Sequence, residues 1–243
     1  MVTKGGVFFI SLGCARNLVD SEHMLGIVRS RGFALASRIE DAEIVVINTC
    51  GFIQSAVREA IDTIFEVTLL KKQGKLEKVV VVGCLVQRYG YRLLREIPEV
   101  DGWLGTGEIQ RIADLLEIDG TVLPAPFFIG RPLYLADHSV PRVQSTPFYS
   151  SYLKIAEGCS HRCSYCIISS LRGPFRSRTP QSLIEEAEDM IAKGVKEINL
   201  IAQDTTMYGK DLEGDICLEG LLENLVELKG IIWIRLLYSH PSR

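Results

Sequence analysis

Cys159, Cys163 and Cys166 stand at Cys-x-x-x-Cys-x-x-Cys spacing in the run EGCSHRCSYCIIS. Three thiolates so close together can wrap one iron–sulfur cube and leave its fourth iron without a protein ligand, whereas a purely structural cube takes four cysteines. An open metal position is where a small molecule binds and reacts, the distinction that separates catalytic from structural metal sites. The spacing points to chemistry at a cluster. Two other readings use the same residues. Zinc with His161 as a fourth ligand is cramped, because His161 lies between Cys159 and Cys163 and no second Cys-x-x-Cys pair follows. Buried structural thiols need no metal at all.

A second trio is spread along the chain. Cys14, Cys50 and Cys84 end the runs ISLGC, VINTC and VVGC, each directly after a strongly apolar, β-branched stretch. A lone cysteine at a strand end is usually a small buried hydrophobe. Three at the same structural address, with Gly13, Gly51 and Gly83 beside them to allow tight turns and close backbone approach, read as a second ligand set. Cys217 belongs to neither set and reads as an ordinary thiol in a loop near Asp215.

The elements that must position these residues follow from the apolar pattern. Strands are expected at Val7–Leu12, Phe33–Ala36, Glu43–Asn48, Lys78–Gly83 and Trp103–Gly105. Helices are expected at 17–31 (with acidic residues in its first turn), 53–72, from 84 to about Ile97, and 108–117. Continuous β-branched runs separated by helices mean a parallel sheet covered on both faces. We therefore expect a doubly wound, flavodoxin-like parallel α/β sheet over residues 1–117. In the strand order 2-1-3-4-5 the three cysteine-bearing strands are neighbours, and ligands bind at the carboxyl ends of such strands. Five of the nine prolines (Pro124, Pro126, Pro132, Pro141, Pro147) fall within residues 118–147, which read as a linker. The βα rhythm restarts at 148–243, with strands at 152–156, 197–202 and 231–237 and helices at 181–193 and 218–228. Gly105-Thr106-Gly107 lacks the rest of a phosphate loop and reads as a turn.

The bulk properties narrow the class. A chain of 243 residues with 47% hydrophobic content can build one or two real cores, and no apolar run approaches the roughly 18 residues of a membrane span. Seven cysteines, an odd number, argue against a disulfide framework, and free thiols suit a reducing cytoplasm. A net charge of −3 gives no general electrostatic reason to bind nucleic acid. Arg172, Arg176 and Arg178 are a local basic cluster, read as a solvated loop, with an anionic ligand as the alternative.

With Tyr165 directly before its last cysteine, the first trio resembles the signature of radical S-adenosylmethionine enzymes. Joined to a three-cysteine N-terminal domain it is similar to the methylthiotransferases of that superfamily. SLGCARNLVDSE, NTCGFI and AQDTTMYG look like the branch that modifies an aspartate of a small-subunit ribosomal protein. The resemblance covers residues 5–243. It implies two four-iron four-sulfur clusters: a radical-generating one on Cys159, Cys163 and Cys166, and an auxiliary, sulfur-donating one on Cys14, Cys50 and Cys84. It also implies S-adenosyl-L-methionine as cofactor, Tyr165 near its adenine, and a reductant such as flavodoxin or ferredoxin. The expected reaction adds a methylthio group at the β-carbon of aspartate, with both clusters facing one cavity and no catalytic residue beyond their ligands. A tRNA methylthiotransferase, which would make nucleic acid a partner, and a non-catalytic iron–sulfur module are the alternatives. Only three strands fit after residue 148, so the radical domain is expected to be an incomplete (βα) partial barrel, truncated to its N-terminal half, with an exposed apolar flank. Gln203 and Asp204 stand where they would either face the site or cap the next turn.

Overall fold

The computed structural model describes residues 4–119 and 122–241. The chain divides into two compact units: residues up to Tyr134 with Pro141–Val143, and Leu135–Val140 with the residues from Gln144 onward.

In the first unit the strands are β1 (Lys4–Ser11), β2 (Phe33–Leu35), β3 (Ile44–Thr49), β4 (Lys78–Gly83), β5 (Gly102–Leu104) and β6 (Phe127–Phe128). They form one parallel sheet in the order β2-β1-β3-β4-β5-β6. Helices α1 (Ala15–Ser30), α2 (Gln54–Lys72), α3 (Cys84–Tyr89), α4 (Tyr91–Glu96) and α5 (Ile112–Glu117) link them. The sheet is buried on both faces, which is why its strands read as unbroken apolar runs. Val45, Ile47, Val79 and Val81 pack with Ala60 and Ile64 of α2. The alternate residues Val46, Val80 and Val82 pack with Met24 and Val28 of α1 and Ile112 of α5. The doubly wound parallel sheet is the one expected, with β1, β3 and β4 side by side.

Several details differ from the pattern-based expectation. The helix expected from residue 84 to about 97 is two helices, broken at Gly90, whose φ of +53° no side-chain-bearing residue adopts readily. α1 starts at Ala15 rather than Asn17, so Asp20 lies beyond its first turn. The expected helix at 108–117 begins as a 3₁₀ turn and becomes α-helical only at Ile112. The proline-rich stretch 118–147 adds an edge strand, β6, to the first sheet and supplies residues to both units. Gly105-Thr106-Gly107 is a turn, with Gln87 Oε1 accepting from the Thr106 amide at 3.1 Å.

The second unit holds an open three-stranded parallel sheet in the order β11-β10-β7, from β7 (Ser150–Lys154), β10 (Glu197–Ile201) and β11 (Trp233–Leu236). α7 (Pro180–Ala192) and α8 (Leu218–Val226) cover it, and Leu153, Ile198 and Leu200 pack against Leu183, Ala187 and Leu221. Thr179 caps α7 by accepting from the Ser182 amide, with Pro180 next in line. Two features escaped the sequence pattern: the antiparallel pair β8 (Ala156–Glu157) and β9 (Arg176–Ser177), and the short helix α6 (Ile168–Arg172). Trp233 at the start of β11 and the nearby Val226 and Ile232 are 59, 63 and 69% exposed, an apolar flank of the expected kind. No helix among the described residues is long and apolar enough to cross a membrane.

Candidate metal centres

In the first unit the parallel register brings the three strand ends together. Ser11 pairs with Asn48 and Thr49 with Gly83, so the residues that follow continue level with one another. The glycines measure how close the turns come. A Cβ on Gly13 would stand 2.7 Å from Cys50 Cβ, and one on Gly51 would stand 2.8 Å from the Cys84 carbonyl. Neither has room for any side chain, so the Cys14, Cys50 and Cys84 turns lie against each other. Cys14 occupies the N-cap of the 16-residue α1 and Cys84 opens α3. A helix N-terminus carries partial positive charge and favours an anionic sulfur. Cys14 and Cys50 are half-buried and Cys84 is buried.

Polar side chains fix these turns from beneath. Asn17 Nδ2 donates to the Leu12 carbonyl (2.6 Å), and Asn48 Nδ2 donates to the Asn17 carbonyl (2.8 Å) and to Ser21 Oγ (2.9 Å). Ser21 Oγ in turn donates to Ser11 Oγ, and Thr49 Oγ1 to the Val82 carbonyl. On the outer side, Arg88 Nη1 donates to the carbonyls of Gly51 and Phe52, at 2.6 and 3.2 Å. None of these partners was foreseen from sequence, because each bond joins residues distant in the chain or lies inside the buried layer.

The second trio sits on a loop tied at both ends. β8 pairs with β9 through Ala156–Ser177 and Glu157–Arg176, so the chain leaves and rejoins one antiparallel staple. Within it the Cys159 amide donates to the Gly173 carbonyl (3.0 Å), the Phe175 amide to Ser160 Oγ (3.0 Å), and the Cys166 amide to the Cys163 carbonyl (3.1 Å). Gly158, at φ +77°, passes so near the next crossing that a Cβ would stand 2.1 Å from the Pro174 carbonyl. Cys159, Cys163 and Cys166, with Ser160, His161 and Ser169, line one open cavity of about 470 Å³. Burial pushes the Cys159 thiol up, and the nearby Cys166, Asp204 and Cys163 push it the same way against a hydrogen bond from the His161 backbone. Three sulfurs gathered this closely resist ionising together unless a cation compensates them.

Asp204 caps the next turn, as one of its two expected roles had it, and also reaches the cysteine loop. Its Oδ1 caps the 3₁₀ turn Thr205–Met207 through the Thr206 amide (3.1 Å), and its Oδ2 meets His161 Nε2 at 2.8 Å. Burial alone would raise its acid, but the hydrogen bonds from Thr206 and His161 outweigh that and hold the carboxyl below its usual range. The contact fixes the His161 ring through Nε2. Zinc in a structural site is held by four ligands round one ion, and neither trio has a fourth cysteine beside it in the chain. A cube is gripped differently, each thiolate taking a different iron at a different corner. On donor chemistry the two thiol trios fit four-iron cubes better than they fit zinc.

Other expectations are corrected here. Arg172 and Arg178 are not in a solvated loop; each is 3% exposed. Arg172 Nη1 and Lys154 Nζ both reach Glu157 Oε2, at 3.3 and 2.8 Å, while Arg178 bonds Glu186 and Ser182 Oγ. Burial lowers the Arg176 guanidinium, against the pull of Glu157 and Asp211. Tyr165, directly before Cys166, is 87% exposed. Cys217 is exposed and precedes α8.

Residues 6–105 match the family described as "Uncharacterized protein family UPF0004", and residues 153–240 match the radical SAM superfamily. The chain is 48% identical over 239 residues to the ribosomal protein uS12 methylthiotransferase RimO of Geotalea uraniireducens, covering 98% of this chain and 53% of that protein. It is 49% identical over 237 residues to the protein of the same name from Pelotomaculum thermopropionicum, covering 96% and 52%. The chain thus joins a UPF0004 region to a radical SAM region and, along nearly its whole length, is similar to proteins named as methylthiotransferases. It spans about half the length of the curated relatives it matches. Among solved structures, the radical S-adenosylmethionine methyltransferase TsrM of Kitasatospora setae superposes with a TM-score of 0.59 at 14% identity, over 91% of this chain and 50% of that one. At that identity the likeness speaks for the fold alone.

Proposed function

We propose that this chain carries the two iron–sulfur sites of a methylthiotransferase that modifies an aspartate of ribosomal protein uS12. What supports the reading is that the turns bearing Cys14, Cys50 and Cys84 lie against each other at the ends of neighbouring strands, and that Cys159, Cys163 and Cys166 line one cavity. Cys159, Cys163 and Cys166 would hold one four-iron cluster and Cys14, Cys50 and Cys84 the other. When bound, the first supplies one-electron cleavage of S-adenosyl-L-methionine and the second the sulfur that is transferred to the aspartate β-carbon.

The chain's own residues have defined tasks in that scheme. Leaving one corner of each cube without a thiolate keeps a position open for a small molecule. The 470 Å³ cavity has the size of a small-molecule site, and Tyr165, next to Cys166 in the chain, has an exposed ring to offer the adenine. Asp204, through His161, holds the first part of the cysteine loop in place. Buried Lys154 and Arg172 on Glu157 stiffen the stretch that enters the loop. A reductant such as flavodoxin or ferredoxin would deliver the electron, and a cytoplasmic setting suits thiols kept free for iron.

The test is mass spectrometry of uS12 and of tRNA from cells with and without the coding sequence. The proposal expects the methylthio modification on uS12 to vanish with the gene while tRNA is unchanged. Loss of a tRNA methylthio group with uS12 intact would contradict it.

A further inference from the structure

Asn48 is 1% exposed and lies two residues before Cys50, yet it touches all three cysteine-bearing turns of the first unit. Its Nδ2 donates to the Asn17 carbonyl, three residues into the helix that Cys14 caps, and to Ser21 Oγ on the next turn of that helix. Its backbone carbonyl accepts from the Leu12 amide at 2.9 Å, on the approach to Cys14. Its Oδ1 lies where a Cβ on Gly83 would be, at 2.4 Å, directly before Cys84. Gly83 holds a φ of +98°, so the left-handed turn into Cys84 and the fit against Asn48 both call for glycine.

From this we infer that Asn48 is the positioning residue of the N-terminal cluster: it sets the mutual placement of Cys14, Cys50 and Cys84 without itself meeting iron. The inference rests on the reading that this trio holds a cluster. The chemistry asks for an amide at this place. Nδ2 has two protons and meets two acceptors, Asn17 O and Ser21 Oγ, while Oδ1 packs toward Gly83. Aspartate has the same outline but no proton to give either acceptor, and it would bury a charge. Leucine has a similar volume and neither function. A residue needed only to fill space would tolerate both better than the ligand geometry does.

The test uses the full chain carrying Cys159→Ala, Cys163→Ala and Cys166→Ala, so that bound iron reports the first trio alone. After anaerobic reconstitution this parent should hold about four irons and give one reduced-cluster paramagnetic resonance signal. Adding Asn48→Ala or Asn48→Asp should bring iron below about one per chain, with a cooperative melt retained. If Asn48→Ala holds the same iron with an unshifted signal, the inference is overturned. Should both variants fail to fold, Ser21→Ala decides, since it removes one acceptor of Asn48 and little volume. It should speed loss of the cluster to a chelator roughly fivefold, as expected for one lost hydrogen bond, and an unchanged rate would overturn the inference. A parent that takes up no iron would overturn the underlying reading and the inference with it; a parent with four irons and an indifferent Asn48 would overturn the inference alone.

Discussion

The two cysteine trios are built by opposite means. Cys50 and Cys84 directly follow separate strands and Cys14 comes three residues after a third, and only the register of the buried sheet makes them neighbours. Cys159, Cys163 and Cys166 are neighbours by sequence, on a loop whose ends are stapled but whose middle is open: Cys163 and Tyr165 are exposed. The first site is as stable as the sheet that makes it. The second depends on a handful of local hydrogen bonds. A ligand set written across the sheet is therefore sensitive to distant packing, and a set written within a loop is sensitive to what the loop holds.

The largest expected effect separates the two sites by ligand. Cys50→Ala should remove about half of the roughly eight irons of two cubes and leave the signal of the other cluster untouched; Cys163→Ala should do the mirror image. If either substitution emptied both sites, the trios would not be separate ligand sets. The next effect concerns order. In metal-free protein, limited proteolysis should cut first between Cys159 and Cys166, and reconstitution with iron and sulfide should suppress that cleavage, while the turns bearing Cys14, Cys50 and Cys84 stay protected throughout. Equal protection with and without iron would show the loop to be as rigid as the sheet.

A smaller effect should follow from Asp204→Asn, which keeps the cap on Thr206 but weakens the grip on His161. A hydrogen bond to a charged group is worth about 1.5–3 kcal/mol, and Asp204 also has exposed solvent near its partner, so the lower end is expected. The Cys159 loop should lose iron to a chelator about tenfold faster, with the first site unaffected. Identical chelation rates would mean that the cysteine loop needs no help from His161. The smallest effect is none: Cys217→Ser should leave iron content and melting unchanged, because that thiol is exposed and belongs to neither set.

How legible each site was in the sequence follows from the same contrast. The strands IVVINT and KVVVVG announced themselves because both faces of the sheet are buried and each carries a run of β-branched residues. From strand order alone the three cysteines at their ends could be placed at one sheet edge. Hidden from the pattern were features whose partners lie far along the chain. The two-residue strands β8 and β9 carry no periodicity, and Arg172 and Arg178 look like surface charge until Glu157 and Glu186 are seen beside them. β6 is two phenylalanines amid prolines, and only an open sheet edge turns them into a strand. Asn48, inside an apolar strand, and the pair Asp204–His161 were visible as residues but not as contacts. A single Gly90 gave no warning that it divides α3 from α4.

The central claim is that six cysteines in two trios hold two four-iron clusters. Anaerobic reconstitution followed by iron and labile-sulfide counting tests it most directly, on the unmodified chain and on chains lacking one trio or the other. The account predicts about eight irons for the first and about four for each of the others. Zinc in place of iron, or about four irons that neither trio's removal lowers, would contradict it.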